Sequence, residues 1–204
     1  MRILVGIACV ALLSSCAMLG GGGKKSTSTT QYAPIVPVVA SATGVSSSRQ
    51  LVVDVTFISP ALNNLRIAVR PTGHELEVYK DLRWANMPSE MLVTSLLENF
   101  ERANAFRTVT RTGAGLAPDL RLGLEIRQFE SVYSADGSGG TPSAVITVLA
   151  KLVDSGEERE IQSREFTVSV PASGVEVPLV VDAFASAMSR VNADIAAWTV
   201  SAAR

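Results

Sequence analysis

Apolar and polar residues alternate over several short stretches of this chain, and elsewhere apolar positions recur every three or four residues. Leu51-Val52-Val53-Asp54-Val55-Thr56-Phe57 predicts a first strand, closed by Ser59-Pro60. Leu65, Ile67 and Val69 then alternate with Arg66, Ala68 and Arg70. Pro71-Thr72-Gly73 turns the chain into Leu76 and Val78, which alternate with Glu75 and Glu77. Two runs of period two joined by such a turn predict a β-hairpin. After Trp84 the period changes. Pro88 stands near a first helical position and Glu90 in a first turn, while Leu92, Leu96, Phe100 and Ala103 share one face, a pattern that predicts an amphipathic helix. Asn104 can stop it.

Phe106 to Thr110 predicts a short strand. The clearest strand follows, with Leu120, Leu122, Leu124 and Ile126 alternating with Arg121, Gly123, Glu125 and Arg127. A Gly/Ser-rich stretch from Ser134 to Ser143 separates it from Ala144 to Val153, and Ser155-Gly156-Glu157-Glu158 turns into Ile161 to Val170. These runs predict a meander of long antiparallel strands. Beyond Pro178, the steps between Val180, Phe184, Met188, Val191, Ile195 and Trp198 predict a second amphipathic helix that should lie on the sheet. Strands, helix, strands, helix is the order of an α/β protein of the α+β kind. The expected architecture is a two-layer sandwich, with a mostly antiparallel sheet of about five to six strands and both helices on one face.

The N-terminus follows another logic. Arg2 supplies a positive charge, Ile3 to Leu13 an apolar run, and Leu13-Ser14-Ser15-Cys16 places small residues before a cysteine. This resembles the lipobox of bacterial lipoproteins, which implies cleavage before Cys16, a diacylglyceryl group on its thiol and a third acyl chain on the new amine. Two acyl chains already anchor stably at roughly 0.8 kcal/mol per buried methylene, so three should hold permanently. The apolar run is too short to span about 30 Å of hydrocarbon. Cys9 lacks the leucine and leaves with the signal, so the exported body is expected to fold in an oxidising compartment without a disulfide. By resemblance to lipoprotein sorting, Ala17, where an aspartate would signal inner-membrane retention, points to the periplasmic face of the outer membrane. Residues 1–15 are therefore read as signal peptide.

Residues 16–48 read as the lipidated cysteine and a flexible tether. Gly20-Gly21-Gly22-Gly23, Lys24-Lys25, a Ser/Thr-rich stretch, Pro34 and Pro37 offer little apolar surface to offset ordering entropy. Some thirty such residues reach roughly 30 Å. Ile35 to Val39 is apolar enough to dock as a short strand or to remain a polyproline-like linker. Residues 49–204 then form one globular domain. The formal charge of −1, which becomes −2 once Arg2 is lost, comes with no basic stripe and argues against a nucleic-acid partner.

Candidate chemistry is sparse. His74 is the lone histidine and sits beside a turn, too little for an ordinary zinc site or a Ser-His-Asp arrangement. Gly113-Ala114-Gly115 and Gly137-Ser138-Gly139-Gly140 lack the strand-turn-helix context and lysine of a phosphate loop. No catalytic residue, metal ligand or cofactor is expected. The distinctive local sequence is Tyr79 to Pro88, which leads into the first helix. There, either Trp84 closes the core while Arg83 pairs with a carboxylate, or Trp84 and Arg83 serve as partner contacts. Phe100, Phe184, Met188 and Trp198 either fill the core or line a lipid cavity.

Arg83-Trp84-Ala85 before a proline-started helix, the alternating strand from Leu120 to Arg127 leading to Phe129, and a terminal Ala197-Trp198-Thr199 resemble the ABC-type transport auxiliary lipoprotein family, which includes lipoproteins of the paraquat-inducible protein C type. The resemblance covers roughly Leu51 to Thr199. It implies a non-catalytic, outer-membrane-anchored partner of an ABC transporter complex and its MCE-domain protein, in systems that move lipids between membranes. A homo-oligomer stays open, as do a lipid carrier and a purely structural envelope lipoprotein.

Overall fold

The computed structural model describes residues 29–39, 47–113, 115, 117–134 and 140–204. The expected signal peptide, Cys16 and the glycine tract lie outside the described residues. The elements run β1 (Thr30–Tyr32), β2 (Ser47–Ile58), β3 (Arg66–Arg70), β4 (Glu77–Trp84), α1 (Pro88–Arg102), β5 (Phe106–Arg111), β6 (Leu120–Val132), β7 (Ser143–Asp154), β8 (Arg159–Pro171) and α2 (Val177–Ala202). Each predicted strand and helix is present. Asn104 sits just past α1 at φ 46°, the left-handed position that ends helices and that asparagine tolerates better than most residues.

The sheet is larger and more mixed than its strand patterns predict. Eight strands join it. The hairpin β3–β4 and the meander β6–β7–β8 are antiparallel as expected. However, β2 lies parallel between β5 and β6, β3 is parallel to β6, and β1 is parallel to β4. Strand β6 makes this possible because it is long enough to serve two partners along one edge. Leu120 to Ile126 pair with β2, Ser131 and Val132 pair with β3, and the register shifts between Ile126 and Gln128. A bulge of this kind bends a strand and raises its local twist, which lets the sheet fork there.

One face of the fork carries the core. Leu120, Leu122, Leu124 and Ile126 on β6 and Ile146, Val148, Ala150 and Leu152 on β7 are fully buried, together with Leu92, Leu96 and Phe100 of α1 and Phe184, Met188, Val191 and Ile195 of α2. The other face is polar. Gln128, Thr147 and Thr167 form a hydrogen-bonded row across β6, β7 and β8, at 2.7 and 3.1 Å. The helices are tied to each other inside the core, where Asn192 of α2 donates to the Ser95 hydroxyl of α1 at 2.6 Å. No helix among the described residues is long and apolar enough to cross a membrane.

The folded body starts earlier than the tether reading allows. β2 begins at Ser47, and residues 29–39 already pack on the body. Tyr32 and Val36 lean on the core, Ala85 N–H donates to the Tyr32 carbonyl at 2.8 Å, and the Ser189 hydroxyl donates to the Pro37 carbonyl. The physical reason is alternation: Tyr32, Pro34, Val36 and Val38 are half-buried, while Gln31, Ala33, Ile35, Pro37 and Val39 face out. One side of the segment gains enough apolar contact to be ordered.

Candidate docking site

β4 carries the residues singled out from the sequence, and the structure separates them. Trp84, its last residue, is 1 % exposed. Its ring stands edge-on to Phe184 at 5.1 Å and to Phe129 at 6.2 Å, and those two rings stack at 5.1 Å. Trp84 is therefore a core residue and not a partner contact: strand alternation turns it toward the helices, where the aromatic rings exclude any outside ligand. Arg83, one position earlier, is exposed. It lies opposite Gln31 of β1 and Arg66 of β3, and it forms no ion pair with the described carboxylates.

The stretch of β4 before Arg83 departs from regular pairing. Arg66 of β3 pairs with Arg83, yet Ala68 pairs with Val78, so Tyr79 to Leu82 bulge out of the ladder. Asp81 in this bulge has φ 59°, a left-handed conformation that aspartate reaches more readily than bulky residues. Beside it lies a cleft of about 200 Å³ lined by Thr29, Arg66, Lys80, Asp81 and Arg83, among others.

Behind the bulge the sheet is fastened by polar groups. Arg70 grips Glu130 through two hydrogen bonds of 2.9 Å, and Glu130 is 1 % exposed. The Glu130 hydrogen bond raises the Arg70 pKa, so the guanidinium stays charged. Tyr79 shares a 3.0 Å hydrogen bond with Ser131, and burial pushes its phenol up to about 12. Both contacts clamp the β3–β4 hairpin where it joins β6. No metal-binding cluster of histidine, cysteine and carboxylates occurs among the described residues. His74 is exposed in the β3–β4 turn.

The residues weighed as a lipid cavity do not form one. Phe100, Phe184 and Met188 are fully buried and Trp198 nearly so, packed into a single core cluster. Phe100 meets Phe106 and Trp198 meets Phe166 edge-on. A more open cleft of about 430 Å³ lies instead between the N-terminal segment and α1, beside Val36, Met91 and Ser95. The sequence reading missed both clefts. The alternation of Tyr32, Val36 and Val38 was the available signal for the second; nothing local marks the first, because it depends on β1 and β3 flanking β4.

A crystal structure of a Xanthomonas campestris protein is 33 % identical to this chain, covers 85 % of it and 96 % of its own length, and superposes with a TM-score of 0.79. A second crystal structure, of an uncharacterized protein, is 17 % identical over 83 % of this chain and 98 % of that one, with a TM-score of 0.63. The latter likeness concerns the fold alone. No curated protein matches the chain. The model of the ABC-type transport auxiliary lipoprotein component family matches residues 33–196, a span that takes in β2 to β8, α1 and most of α2, and the chain belongs to that family.

Proposed function

We propose that this protein is a lipid-anchored, non-catalytic docking subunit of an ABC-type transport system, held at the periplasmic face of the outer membrane by Cys16 and receiving an MCE-domain partner. The observation that carries this reading is the family match over residues 33–196, which makes the body a transport-auxiliary component. The lipobox-like run ending at Cys16 supports the anchor, and the small number of residues between Cys16 and β1 keeps the body near the lipid. In this division of labour, ATP hydrolysis belongs to another subunit. A lipid-carrier role draws no support from the core, which aromatic and aliphatic side chains fill.

The anchor is tested by Cys16→Ser and membrane fractionation. Serine cannot form the thioether, so the variant should be a folded protein released from membranes, with melting barely changed. Equal recovery of variant and wild type in the membrane fraction after a high-salt wash would contradict the anchor. Native mass spectrometry of the purified protein bears on the carrier role. A mass free of non-covalent lipid fits docking, whereas stoichiometric co-purifying lipid would favour transport of cargo by the body itself.

A further inference from the structure

Arg66, Lys80 and Arg83 come from two strands and gather around one cleft, and none pairs with a described carboxylate. Arg66 and Arg83 stand directly across β3 and β4 from each other, a like-charge pairing that disfavours the sheet. Asp81 is the carboxylate in the same cleft, which leaves its lining at a net charge of +2. The bulge at Tyr79 to Leu82 presents Lys80 and Arg83 on the same rim. A cluster of this sign calls for an anion from outside.

Its place along the chain says which anion. Thr29, where the described body begins, lines this same cleft. Only residues 17–28 lie between it and Cys16, and they include Lys24 and Lys25. Even fully extended, twelve residues span at most about 43 Å. The β7–β8 turn lies at the other end of β6, because Leu120 pairs with Asp154 while Ser131 pairs with Val69. Arg66, three residues before Val69 in a strand parallel to β6, stands near the level of Gln128, so at ~3.3 Å per residue the rim and the turn are about 26 Å apart. The cationic rim therefore stands where the chain from the anchor joins the body, and the β7–β8 turn lies farther along the sheet.

We infer that Arg66, Lys80 and Arg83 form a membrane-facing surface that holds this edge of the sheet against anionic phospholipid headgroups. This rests on the proposed anchoring through Cys16. Lipid phosphates supply the counter-charge that the protein omits, and the anchor raises the local concentration of that surface so that a few cations suffice. The body then has one orientation on the membrane, with its β7–β8 end directed away.

The test uses full-length lipidated protein in liposomes that contain a headgroup-nitroxide lipid. One fluorophore is placed at Gln31→Cys, exposed on β1 beside Arg83, and another, in a separate sample, at Glu157→Cys in the β7–β8 turn. In bilayers of phosphatidylethanolamine and phosphatidylglycerol, the Gln31 probe should be quenched several-fold more than the Glu157 probe. Combining Arg66→Glu, Lys80→Glu and Arg83→Glu should bring that ratio close to one, since each basic residue near an anionic surface strengthens contact roughly fivefold. Arg66→Lys with Arg83→Lys should preserve it, which separates charge from folding. Raising salt to about 1 M should act like the charge reversal, because the screening length shrinks to about 3 Å. An unchanged ratio in the charge-reversed variant would overturn the inference. So would an equal ratio in pure phosphatidylcholine, which would direct the cluster toward an acidic protein instead. Sedimentation of the same samples keeps the two readings apart: protein that fails to sediment with the liposomes refutes the anchor itself and this orientation with it.

Discussion

Replacing Trp84 by alanine removes the side chain on which the strand-to-helix junction closes. Trp84 is 1 % exposed and touches Phe184 and Phe129 edge-on at 5.1 and 6.2 Å. Truncating a buried aromatic to alanine costs ~3–5 kcal/mol through lost transfer energy and the cavity left behind. The lost edge-on contacts lie within that range, and because Phe129 and Phe184 are already stacked on each other, the site cannot easily collapse. About 4 kcal/mol is a large part of the 5–15 kcal/mol that typically stabilises a domain. At ~2–4 °C per kcal/mol for a chain of this size, the melting temperature should fall by about 8–16 °C. Urea unfolding followed by far-ultraviolet circular dichroism measures the effect, and an unchanged slope would assign it to the native state. Trp84→Phe, which refills much of the space, should recover more than half of the loss. A loss below about 1 kcal/mol for Trp84→Ala would refute the core assignment and return Trp84 to the contact surface.

Arg83→Ala should cost less than about 1 kcal/mol of stability in the same assay, since the side chain is exposed and unpaired among the described residues; a loss of several kcal/mol would mean a buried, paired charge. Tyr79, whose phenol burial pushes up to about 12 from 10, keeps its proton longer folded than unfolded. Its contribution is therefore intact below pH 10 and is lost as pH rises through about 12. Absorbance at 295 nm should show one of the chain's tyrosines ionising late, and Tyr79→Phe should abolish that late step. A single common titration in the wild type would contradict the burial argument.

The sequence read best where one residue pattern had one structural meaning. Leu120, Leu122, Leu124 and Ile126 alternate and are all fully buried, and Pro88 and Asn104 bound the first helix almost to the residue. Alternation reports which face is buried and says nothing about which strand lies alongside. The parallel pairings of β2 with β5 and β6 join segments far apart in the chain, and so the sheet looked smaller and more antiparallel than it is. Ile35 to Val39 was ambiguous for a related reason. Ile35 and Val39 are apolar but point outward, at 89 % and 53 % exposure, so the run lacks the polar face that marks a half-buried strand. Arg83 read equally as one half of an ion pair or as a contact residue, and the structure leaves it exposed with no ion pair to the described carboxylates. Its grouping with Arg66 and Lys80 was not legible, because the bulge that brings them to one rim leaves no signature in the spacing.

The central claim, that this lipoprotein docks a transport partner, is tested most directly by the affinity between the full-length protein in lipid nanodiscs and the periplasmic region of the proposed MCE-domain partner. A 1,000 Å² or larger interface of ordinary quality would give saturable binding in the micromolar range or tighter. Saturation with a fixed stoichiometry, reproduced when the unlipidated Cys16→Ser protein is used in solution, is the result expected here. No association at protein concentrations of about 100 μM, with both proteins folded by circular dichroism, would contradict the docking role.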